Sequence, residues 1–144
     1  MKFKSDYTTN SSSSSFVISL KKKPESIAEF YNMVYGDQKH GDISLLQRLF
    51  NDMPKNGMTR DELISEFIEE DWNYIKNGFN DMSWEEMLEY QKIIGKEEAE
   101  SFLIGKEGNF IFSLEYEDCD GNMEGRLRES SVLDNVDHKR FSHH

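Results

Sequence analysis

The stretch Phe110-Ile111-Phe112-Ser113-Leu114-Glu115-Tyr116 decides the fold. Phe110, Phe112, Leu114 and Tyr116 alternate with Ile111, Ser113, Glu115 and Glu117, so one face is nearly all aromatic or aliphatic. A period of two marks a β-strand with one side toward a core. From Pro24 to Ala99 the apolar residues recur instead every three and four positions, which marks helices. The change of period at about residue 101 therefore predicts an α+β chain.

Outward from that strand, Ser101–Ile104, the turn-like Gly105-Lys106-Glu107-Gly108 and Asn109–Tyr116 read as a hairpin. On the other side, Asp120-Gly121 is a tight-turn dipeptide. Met123 to Val132 then reads as a returning strand weakened by Gly125, and Val136 to His144 frays unless another strand covers it. At the opposite end Phe16-Val17-Ile18-Ser19-Leu20 alternates and predicts a short strand. A lone strand leaves its backbone groups unsatisfied, so this one must pair with the C-terminal strands.

Four helices are expected between. The first starts at Pro24, with Ile27, Phe30, Tyr31 and Val34 as its stripe and Gly36 as its stop. The second follows Asp42 as N-cap, with Leu45, Leu46, Leu49, Phe50 and Met53 inward. The third opens on a capping box, Thr59 and Glu62, and carries Leu63, Ile64, Phe67, Ile68, Trp72 and Ile75. Asn77-Gly78 stops it. Ser83 and Glu86 make a second box for a fourth helix with Trp84, Met87, Leu88, Gln91 and Ile94, which Gly95 either ends or bends. The expected architecture is one α+β domain, residues 1–144, with about four amphipathic helices on an antiparallel sheet of three or four strands. Residues 1–13 and 137–144 are expected to be mobile ends.

The opening run Met1-Lys2-Phe3-Lys4-Ser5-Asp6-Tyr7-Thr8-Thr9-Asn10, then Ser11 to Ser15 and Phe16-Val17-Ile18, resembles the start of small, mostly uncharacterised proteins of Gram-positive bacteria and their phages. The likeness covers about the first 18 residues. It implies a bacterial or phage-related source and transfers no catalytic residue.

The 144 residues carry 28 acidic and 17 basic groups, a formal charge of −11. That sign disfavours direct binding to nucleic acid or to an anionic membrane. No long uncharged apolar run spans a bilayer, and Lys2 and Lys4 precede Ser and Thr rather than the apolar core of a signal peptide. A cytoplasmic protein is the expectation. Thr59 to Glu100 holds 13 acidic residues against Arg60, Lys76, Lys92 and Lys96, which leaves the rest of the chain near neutral. Such a stretch reads either as a solvated helix face or as a surface for a basic protein partner. The candidate contact residues are Glu62, Glu66, Glu69, Glu70, Asp71, Tyr74, Glu85, Glu86, Glu89 and Tyr90. Trp72 and Trp84 are assigned to the core, and the two tyrosines to the partner.

Catalytic motifs are absent from the sequence: there is neither a phosphate-cradling glycine loop nor a zincin pattern, and no cofactor is implied. Asp118, Asp120, Asn122, Glu124 and Glu129 place oxygens at calcium-loop positions one, three, five, seven and twelve. Position six is Met123 where that loop needs glycine, and a strand precedes it, so plain turn chemistry is the stronger reading. His138, His143 and His144 with Asp134 and Asp137 form a metal-tolerant tail without a scaffold, and His40 is a polar loop residue. Cys119, the one cysteine, sits between Asp118 and Asp120, whose charge opposes a thiolate. Arg126, Arg128, Lys139 and Arg140 carry no recognised anion-site spacing. The reading is a non-catalytic interaction protein. The alternatives are a small enzyme or metal-dependent module assembled from distant residues, and a structural subunit that dimerises by edge-strand pairing.

Overall fold

Five consecutive buried residues, Phe16 to Leu20, belong to a strand flanked on both sides. In the computed structural model, which describes residues 13–78, 81–117, 123–129 and 132–143, strand β1 spans Ser13–Leu20. Strands β2 (Phe110–Glu117) and β3 (Asp137–His143) complete a three-stranded antiparallel sheet in the order β2-β1-β3. Ser15 Oγ donates to Glu115 Oε2 at 3.4 Å and Asn109 Nδ2 donates to Ser19 Oγ at 3.0 Å, which fixes the β1–β2 register. Phe16, Val17, Ile18, Ser19 and Leu20 are all at most 4% exposed, so the alternation read in the sequence hides a strand buried on both faces. The strand also begins earlier than expected. Ser14 and Ser15 are fully buried within it, because a central strand draws even hydroxyl side chains inward. The expectation of a mobile end at 137–144 is corrected for Asp137–His143, which forms β3, because β1 supplies the pairing partner that satisfies its backbone groups.

Five helices occur among the described residues: α1 (Ile27–Tyr35), α2 (Ile43–Asp52), α3 (Arg60–Gly78), α4 (Trp84–Leu103) and α5 (Met123–Glu129). The α+β class holds. Three boundaries differ from the sequence reading. Helix α1 starts after Ser26, whose Oγ accepts from the Glu29 amide at 3.1 Å, and buried Pro24 precedes it. Ser101–Leu103, expected in a hairpin, finishes α4, because Gly95, Ala99 and Phe102 continue its inner stripe. Met123–Glu129 is a helix rather than a strand: buried Met123 and Leu127 stand four residues apart, one helical turn. Residues 118–122, which hold Asp118, Cys119, Asp120 and Asn122, lie outside the described residues.

The chain groups into two compact units, with the boundary inside β1 after Ile18 and inside β2 after Phe112. The first unit comprises residues through Ile18, Pro24–Met53 and Ser113–His144. There α2 packs with α1 and α5, and the Phe30 and Phe50 rings meet at 6.3 Å. Asp42 caps α2 by accepting from the Leu45 amide at 2.9 Å. Arg126 from α5 reaches both Asp42 carboxylate oxygens at 3.2 Å. The Leu45 amide foremost, and then Arg126, hold the Asp42 carboxyl below the usual aspartate range. A lowered native value means stability present above the unfolded value, about pH 3.9, and lost as pH falls through the native one. The Asp42→Asn variant keeps an N-cap side chain but carries no titrating charge. It is expected to flatten the slope of stability against pH below about pH 4. Denaturation midpoints from pH 2 to pH 6 check this, and an unchanged acid slope contradicts it.

The second unit comprises Ser19–Lys23 and Pro54–Phe112. Its centre is the contact of α3 with α4. A Cβ built on Gly95 would stand 2.7 Å from Ile68 Cα, so the helices touch backbone to backbone there. Gly95 therefore neither ends nor caps the helix. It is the point of closest approach, flanked by buried Gln91 and Ala99 one turn away on either side. Gln91 Nε2 donates to the Ile68 carbonyl at 2.7 Å, and the Phe67 and Phe102 rings lie 5.9 Å apart. The actual stop of α4 is followed by Gly105 and Gly108, both at positive φ.

Candidate functional site: the acidic faces of α3 and α4

Both helices begin at the capping boxes read from the sequence. The Thr59 amide donates to Glu62 Oε1 at 2.9 Å while the Glu62 amide donates to Thr59 Oγ1 at 3.1 Å. The Thr59 amide foremost, and then the Thr59 side chain, hold the Glu62 carboxyl below its usual range. Ser83 and Glu86 repeat the arrangement at 3.2 and 3.4 Å. Two of the candidate contact carboxylates thus also serve their own helix ends.

The remaining candidates separate by helix angle. Leu63, Phe67 and Glu70 stand at spacings of four and three, so Glu70 lies on the inner stripe and is only 4% exposed. Its assignment to a contact surface is corrected on that ground. Glu66 is half-buried, whereas Asp61, Glu62 and Glu69 are exposed. The side chains of Asp71 and Tyr74 lie outside the described residues, as do those of Trp72, Glu124 and Glu129. On α4, Glu85, Glu86, Glu89, Glu97 and Glu100 are exposed, together with Lys92 and Lys96. Arg60 forms an ion pair with Glu100 across the α3–α4 pair. The exposed carboxylates outnumber the exposed cations interleaved with them, Arg60, Lys92 and Lys96, and the burial of Glu70 takes one carboxylate out of that surface.

The aromatic assignments reverse in part. Trp84, expected in the core, is 59% exposed, because it is the first residue of α4 and precedes the turn where the inner stripe begins. Tyr90 is half-buried. Sequence reading passed over Ile93, which is 50% exposed. Its position was legible in the spacing: it stands off the inner stripe formed by Gln91, Gly95 and Ala99, with Glu89 and Glu97 one turn away on either side and Glu86 and Glu100 two turns away. The outer face of α4 is thus an apolar residue among four carboxylates, with Tyr90 and the exposed cation Lys96 also one turn away.

No group of three or more His, Cys, Asp or Glu side chains is arranged to hold a metal ion among the described residues. In that set, no helix is long and apolar enough to cross a membrane. His138 Nδ1 lies 3.0 Å from the Val136 carbonyl oxygen and so is engaged at the start of β3. Arg126 is committed to Asp42, which removes it from the anion-binding candidates. No family model matches the chain, and neither a curated protein nor a solved structure matches it.

Proposed function

We propose that this is a non-catalytic interaction protein that binds and modulates a protein partner with a basic surface, through the acidic faces of α3 and α4, in the cytoplasm. The observation that carries the reading is the outer face of α4, where exposed Ile93 stands among Glu86, Glu89, Glu97 and Glu100, four carboxylates against the one neighbouring cation Lys96. An apolar centre with a charged border has the anatomy of a protein contact: the centre supplies burial, and the border supplies selection and encounter rate. A concrete form of the activity is blockade of a nucleic-acid-binding surface, as some phage inhibitors do, because carboxylates then stand where phosphates otherwise would.

Capture of proteins from an extract of the source organism on the immobilised chain tests this reading. At about 50 mM salt a basic protein is expected to be retained, and raising salt to about 0.5 M is expected to release most of it, since the Debye length shrinks several-fold. Retention of acidic or neutral proteins alone, or retention indifferent to salt, contradicts the reading.

A further inference from the structure

We draw no further inference here: the strongest candidate, the exposed Ile93 bordered by Glu86, Glu89, Glu97 and Glu100 on the outer face of α4, belongs to the site already described, and nothing in the structure shows what covers it.

Discussion

Replacing Phe16 with alanine is expected to cost about 3–5 kcal/mol of folding stability. Phe16 is fully buried in β1, the strand that pairs with both of the others. Removing the ring forfeits its transfer free energy and leaves a cavity, which a strand held on both sides is poorly able to close. A domain of this size is held by about 5–15 kcal/mol in all, so the variant is expected to be partly unfolded at 37 °C. Ile104→Ala is the matched contrast. Ile104 is 76% exposed just past the end of α4, and its loss is expected to change stability by less than about 0.5 kcal/mol. Urea denaturation followed by circular dichroism separates the two. A Phe16→Ala cost below about 1 kcal/mol would show that β1 is not the central strand.

Gly95→Leu is the second large effect. In the middle of an exposed helix, replacing glycine by a good helix former stabilises by about 1 kcal/mol. Here the sign inverts. Any Cβ at 95 meets the Ile68 backbone at under 3 Å, and a helix backbone cannot yield as a flexible side chain would. The bulk of leucine forces α3 and α4 apart and draws Gln91 away from the Ile68 carbonyl that it reaches at 2.7 Å. Overpacking of this kind costs about 1–3 kcal/mol, and the broken buried hydrogen bond adds about 1 kcal/mol more. Gly95→Ala should fall between, with overpacking offset in part by helix propensity. Thermal unfolding of both variants checks the order, and a stabilised Gly95→Leu protein would mean that the two helices do not meet at this point.

The legibility of the fold followed the locality of each signal. Asp42, Thr59 with Glu62, and Ser83 with Glu86 marked three helix starts, because a cap is decided within four residues. The same rule applied to Ser26 and Glu29 would have moved the start of α1 past Pro24. Met123 and Leu127 lost to the neighbouring Asp120-Gly121 turn dipeptide, although their spacing of four already spelled a helical turn. Gly95 was unreadable alone: a glycine inside a helical pattern says stop or close approach, and only the position of Ile68 decides between them.

The candidate site was legible as a charge count and not as a surface. The count treated Glu70 and Glu89 alike, yet Glu70 shares a stripe with Leu63 and Phe67 while Glu89 faces out. A charge count is also blind to Ile93, an apolar residue that stands away from the stripe that builds the core.

Whether that acidic surface is what a partner meets is tested most directly by measuring the affinity of the captured partner for a charge-reversed protein, Glu69→Lys, Glu89→Lys and Glu97→Lys together. All three side chains are exposed and make no ion pair among the described residues, so the fold should persist. A second triple variant, Asp37→Lys, Glu107→Lys and Asp134→Lys, changes the net charge equally at exposed positions elsewhere. With circular dichroism unchanged in both, the first variant is expected to bind at least about tenfold more weakly at low salt, the second within about threefold of the parent. Equal affinities for the first variant and the parent protein would show that the partner is held elsewhere.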